Sequence, residues 1–124
     1  MKHNKKKNHL SKKYSHRNNM LSNMACSLIL HKSIYTTLSK AKVLRQYIEP
    51  ILNKLKFNNI NSRRTIFKKL KNKKVINILF NNIFKRIKNR NGGYVRILKA
   101  GYRKGDSSKM SIIQLVDYYK YEDL

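Results

Sequence analysis

Residues 33–55 read SIYTTLSKAKVLRQYIEPILNKL. The first five, Ser33-Ile34-Tyr35-Thr36-Thr37, are β-branched, aromatic or small, which suits a short strand. The period then changes. Ala41, Leu44, Ile48, Ile51, Leu52 and Leu55 recur at helical spacing, and Ser39 is placed to cap the helix. Pro50 removes one backbone donor inside the run, but the apolar stripe continues on both sides, so the segment reads as one kinked helix. A strand feeding directly into an amphipathic helix points to a mixed fold with helices laid on a small sheet.

Working outward, Met20, Leu21, Met24, Leu28 and Ile29 form an apolar stripe from Asn18 onward, a helix of about four turns. Downstream, Asn58, Asn59 and Asn61 make a loop, and Ser62 is placed to cap a third helix through Arg63, Arg64, Ile66, Phe67 and Leu70. A fourth helix buries Val75, Ile76, Leu79, Phe80, Ile83 and Ile87 and stops at Asn89-Arg90-Asn91-Gly92-Gly93. Tyr94 to Lys99 and Met110 to Asp117 then read as a hairpin whose connection carries Gly101, Gly105 and Asp106. The expected order is α-β-α-α-α-β-β, a single two-layer α+β domain over residues 18–117. A basic N-terminal arm, residues 1–17, precedes it, and a short tail, 118–124, follows.

The charge narrows the function. Thirty Lys and Arg stand against five Asp and Glu in 124 residues, a net charge of +25. Residues 1–48 contain no acid. Such a chain repels itself unless a polyanion is present, which makes nucleic acid the expected partner and an anionic membrane surface the rival. So few carboxylates also leave little for acid–base catalysis. No apolar run approaches the ~20 residues of a membrane span, and no secretory signal follows the N-terminus, so a cytoplasmic protein is expected. The arm holds seven Lys/Arg and three His but few apolar side chains. It cannot offset its own ordering entropy, and it should order on phosphate. Lys, Asn and Ile supply 50 of the 124 residues, as an A/T-rich coding sequence would produce.

Catalytic and metal chemistry find little support. His3, His9, His16 and His31 have no zinc-ligand spacing with the lone Cys26, which reads as a small apolar helix residue. Gly101 to Asp106 lacks the Gly-Lys-Ser/Thr ending of a phosphate loop, and Gly92-Gly93 precedes a strand rather than a helix. No cofactor, metal or small-molecule substrate is expected. The candidate nucleic-acid-binding residues, RNA or DNA, are instead basic. In the arm they are His3, Lys5, Lys6, Lys7, Lys12, Lys13, His16 and Arg17. In the domain they begin with Arg45 and the Arg63-Arg64 pair, the latter expected where a helix start offers free amides. Around the glycine turn and hairpin they are Arg90, Arg96, Lys99, Arg103 and Lys104. Gly92 and Gly93 would admit phosphate or sugar close to the backbone, and Tyr94 and Tyr102 would offer faces for stacking. Arg96 alternates with Val95 and Ile97 and should project away from the core.

Several of these stretches together resemble the bacterial large-subunit ribosomal protein L17 family. They are Met1-Lys2-His3, Ser15-His16-Arg17, Asn23-Met24-Ala25, Ile34 to Lys42, Glu49-Pro50, Arg63-Arg64, Leu79-Phe80, Arg90 to Tyr94, Arg96 to Lys99, Gly105-Asp106 and Leu115-Val116-Asp117. The resemblance runs from Met1 to about Asp117. Val43, Val95 and Gln114 depart from it, the first and last standing where that family usually has acids. The resemblance implies a non-catalytic α+β protein of the large ribosomal subunit, bound to its RNA beside neighbouring ribosomal proteins near the polypeptide exit region. A nucleoid-type DNA-architectural protein is the alternative.

Overall fold

Helix α1 (Tyr14–His31) starts four residues before the expected Asn18. Nothing between Lys12 and Met20 breaks a helix, and the Arg17 amide bonds the Lys13 carbonyl at 2.9 Å. The Arg17 guanidinium also lies 5.6 Å from the Tyr14 ring centre, one turn back. The last residues of the basic arm, His16 and Arg17 among them, are therefore helical. The computed structural model describes residue 10 and residues 12–118. His3, Lys5, Lys6 and Lys7 lie outside the described residues, as does most of the C-terminal tail.

Lys32 closes α1 in the left-handed region (φ 69°) and turns the chain into strand β1 (Ser33–Thr37). Helix α2 (Leu38–Leu55) follows at once, capped by Thr37 rather than Ser39: the Thr37 hydroxyl accepts from the Lys40 amide. The strand's last residue serves as the cap, so no linker is needed. The helix runs through Pro50 without a break, and its stripe Ala41, Leu44, Ile48, Ile51, Leu52 and Leu55 is almost wholly buried. Helix α3 (Ile60–Leu70) also begins earlier than expected, because Asn59 accepts from the Ser62 amide at 2.8 Å and takes the capping role.

The expected fourth helix is continuous but not uniform. Helix α4 (Lys73–Ile78) passes through a π-helical turn (Leu79–Ile83) into α5 (Phe84–Ile87). Its apolar residues step by four at Leu79, Ile83 and Ile87, which overshoots a 3.6-residue turn. One wider turn, closed by the Phe84 amide on the Leu79 carbonyl, keeps all three in the core.

Strands β2 (Val95–Tyr102) and β3 (Lys109–Leu115) form the expected hairpin with a shorter loop than the sequence suggested: β2 runs on to Tyr102, while β3 begins one residue early and ends at Leu115 rather than Asp117. A bulge between Lys99 and Tyr102 sits at Gly101, whose φ of +80° few other residues adopt readily. The antiparallel sheet has the order β1-β3-β2. Helices α1 and α2 pack against the sheet and α3 packs on the helices, giving two layers around one core. Val95, Ile97, Ile113 and Leu115 face that core. The other face carries Tyr35, Leu98 and Arg96.

One carboxylate ties the layers together. Glu49, on α2, accepts from the Tyr94 amide at 3.2 Å and from the Val95 amide at 3.1 Å. These donors open β2, where Gly93 turns the chain at φ +64°. Losing a charged acceptor strands two part-buried donors. Glu49→Ala should therefore lower stability by about 2–3 kcal/mol in urea unfolding, and Glu49→Gln, which keeps one acceptor oxygen, by less.

Candidate nucleic-acid interface

The hairpin tip brings several of the expected residues together. Lys99, Tyr102, Arg103 and Lys104 are all exposed at one end of the sheet, with Tyr102 at 69%. The Arg103 amide bonds the Ser108 carbonyl at 2.8 Å and the Ser107 amide bonds the Arg103 carbonyl at 3.0 Å, so the tip is a closed turn. Asp106 braces it from within. It accepts from Arg103 Nη2 at 2.6 Å and from the Ser108 amide at 3.1 Å. The Arg103 guanidinium, then the Ser108 amide, hold the Asp106 carboxyl well below the usual carboxylate range. Asp106 stays ionised and fixes the Arg103 side chain.

Other expected residues have structural work. Tyr94 is 1% exposed and offers no face for stacking. Its hydroxyl lies 3.1 Å from Asn53 Oδ1 and 3.3 Å from the Arg90 carbonyl, so a buried tyrosine finds its polar partners inside. Arg90 is engaged too. It forms a bidentate pair with Asp117, with Nε at 3.1 Å from Oδ2 and Nη2 at 3.0 Å from Oδ1. That pair ties the end of the helical layer to the end of β3. Arg96 projects from the face opposite the core, as the alternation suggests, and donates to Gln114, its cross-strand neighbour. Gly92 and Gly93 are exposed, and no atom lies within 4 Å of a Cβ built at either. Open space over that backbone is consistent with close approach by a phosphate or sugar.

The helical layer supplies a second basic surface. Arg45 is exposed on the side of α2 away from its buried stripe. Arg63 and Arg64 are exposed on α3 but sit in its second turn, because Asn59 moves the helix start forward. The pair therefore presents its guanidinium groups and does not sit beside free amides. Arg63 stacks 4.5 Å from the Phe80 ring centre, which orients it. Lys12, Lys13, His16 and Arg17 lie at and just before the start of α1. Three exposed aromatics escaped sequence reasoning: Tyr14, 72% exposed, Phe57, 70% exposed, and Tyr35, 60% exposed. Alternation along β1 could have singled out Tyr35, since Ile34 faces the core.

Among the described residues, Glu49, Asp106 and Asp117 each hold hydrogen bonds, at the start of β2, the hairpin tip and the end of β3 respectively. Among the described residues many of the remaining cations are exposed, while Lys32, Arg86 and Arg96 also donate hydrogen bonds within the chain. Cys26 is half-buried, its thiol 3.7 Å from the Leu70 carbonyl, and burial pushes its pKa up. No group of three or more His, Cys, Asp or Glu among the described residues could hold a metal ion. No described helix is long and apolar enough to cross a membrane.

A two-layer α+β domain of this charge, with a braced basic hairpin, has the electrostatics that suit a polyanionic partner. The family model described as Ribosomal protein L17 matches residues 20–116. The chain is 56% identical over 118 residues to the large ribosomal subunit protein bL17 of Porphyromonas gingivalis, covering 95% of this chain and 74% of that one. It is 52% identical to the bL17 protein of Bacteroides fragilis, covering 95% and 73%. It is 48% identical over 121 residues to that of Amoebophilus asiaticus, covering 98% and 62%. The chain belongs to the ribosomal protein L17 family, and it is a structural ribosomal protein rather than an enzyme.

The two classes of arginine should separate on mutation. Arg90→Ala should lower stability by about 1 kcal/mol, since the pair is partly solvent-screened, and leave the salt dependence of RNA binding nearly unchanged. Replacing Arg103 and Lys104 with Ala should leave the urea midpoint in place and reduce the salt slope by about 1 for each phosphate no longer neutralised.

Proposed function

We propose that this chain is a structural constituent of the large ribosomal subunit, in the cytoplasm, where it binds large-subunit ribosomal RNA and supports subunit assembly and translation. The observation that carries this reading is the division of labour among charges. The described carboxylates hold the fold together, and a large excess of cations faces outward in a chain of this family. RNA binding is assigned to the basic residues leading into α1, to Arg45 and the Arg63-Arg64 pair, and to the hairpin with Lys99, Tyr102, Arg103 and Lys104. Neighbouring ribosomal proteins near the polypeptide exit region are the proposed protein contacts. The mechanism is neutralisation of phosphates with release of counterions, and selectivity arises from RNA shape, ribose hydroxyls and stacking on exposed aromatics. Family and relatives give the DNA-architectural alternative no support.

The arm contributes affinity without being needed for the fold. Leu10 packs against the core, so a deletion that spares the domain removes residues 2–9 only. That deletion should leave thermal unfolding unchanged and weaken binding to large-subunit RNA. The full chain, making about 6–10 phosphate contacts, should lose roughly 10³–10⁵ in affinity between 50 and 200 mM salt, somewhat less on single-stranded RNA. In a sucrose gradient of native lysate the protein should co-sediment with large subunits in near-stoichiometric amount after a moderate salt wash. Recovery at the top of the gradient would contradict the reading.

A further inference from the structure

The face made by α1, α2 and the end of α3 contains a cleft of about 590 Å³. That volume lies within the ~300–1,000 Å³ range of pockets for small organic groups. Its composition is specific. Leu21 and Val43, both nearly buried, supply apolar surface, with Tyr47 and Tyr14 as aromatic walls. Asn18 and Gln46 bring side-chain amides into the same space. Arg17, Lys68, Lys69 and Lys71 also line it, and no acid does.

The local backbone keeps the cleft electropositive. Helix α3 ends at its wall, and the carbonyls of a helix C-terminus would ordinarily repel an anion. Here the last two are covered. The Ser22 hydroxyl donates to the Lys69 carbonyl at 2.9 Å, and the Tyr47 hydroxyl donates to the same oxygen at 3.2 Å. The Cys26 thiol donates to the Leu70 carbonyl at 3.7 Å. These bonds also fasten α1 and α2 to α3, so the cleft is preformed.

We infer that this cleft receives one unpaired nucleotide of the bound RNA. An apolar surface beside an aromatic ring suits the face of a base, amide groups suit its hydrogen-bonding edge, and clustered cations suit its phosphates. A duplex cannot enter so confined a space, whereas a splayed nucleotide can, and single-stranded elements are where proteins read RNA bases. The inference rests on the RNA-binding function proposed above and adds a site apart from the hairpin, to which the end of the arm contributes Tyr14 and Arg17.

Chemical probing of the full chain bound to large-subunit RNA tests it, with base-modifying reagents and hydroxyl radicals used in parallel. Gln46 is exposed and Asn18 half-buried, so the double variant Asn18→Ala with Gln46→Ala removes the base-edge contacts without touching the core. Native unfolding of that variant confirms the fold. The expected result is one unpaired base shielded from modification by the wild-type chain and reactive again with the variant. The backbone footprint elsewhere should persist, with affinity reduced about tenfold. A full wild-type footprint with no shielded unpaired base, or with shielding that survives the double variant, overturns the cleft and leaves the RNA-binding function standing. The absence of any wild-type footprint overturns that function and the cleft with it.

Discussion

Glu49 is the one acid before Asp106, and the domain depends on where it sits. From the middle of α2 it bonds the two amides that open β2, Tyr94 and Val95. Those donors sit beside the core, where no water-filled alternative is as strong as a charged acceptor. With them held, β2 enters the sheet in a register that places Val95 opposite Leu115 and Ile97 opposite Ile113, all toward the helices. A slip by one residue would turn Arg96 into the core. The adjacent Tyr94 hydroxyl, reaching Asn53 one turn further along α2, fixes the same junction a second time.

The other two described carboxylates extend the same logic. Asp117 binds Arg90 and joins the end of the helical layer to the end of β3, while Asp106 shapes the hairpin tip. In a chain with a net charge of +25, an acid used on the surface for solubility would weaken attraction to a polyanion. Acids used as braces, even at the exposed hairpin tip, shape the fold, and the outer field stays positive because cations far outnumber them. Apolar burial does the remaining work. A continuous core from Leu21 to Leu115 holds the layers together, so the outer cations need no partners within the chain.

The order of elements was legible because it depends on local periodicity. The stripes of α2 and the fourth helix, and the alternation around Arg96, show directly which residues face inward. Caps were less legible, since Thr37 or Ser39, and Asn59 or Ser62, are chemically equivalent choices that differ only in where the preceding segment ends. The π turn in the fourth helix was hidden in its steps of four. At the interface, the exposed hairpin residues were legible as a cluster of charge around glycines. Tyr94 and Arg90 were not, because their partners lie 41 and 27 residues away in sequence, and only the fold brings Asn53 and Asp117 to them. The cleft between α1, α2 and α3 was invisible for the same reason: its amides and cations come from three separate helices.

The central claim is that this domain uses its carboxylates as braces and meets RNA through its exposed cations, the braced Arg103 among them. Ultraviolet crosslinking of RNA within intact large subunits, followed by mapping of the modified peptides, tests that claim most directly. Adducts should concentrate on residues 99–104 and on the basic surface of α3, and Tyr94 and Arg90 should carry none. Adducts on Tyr94 or Arg90, with the hairpin tip left unmodified, would contradict the account.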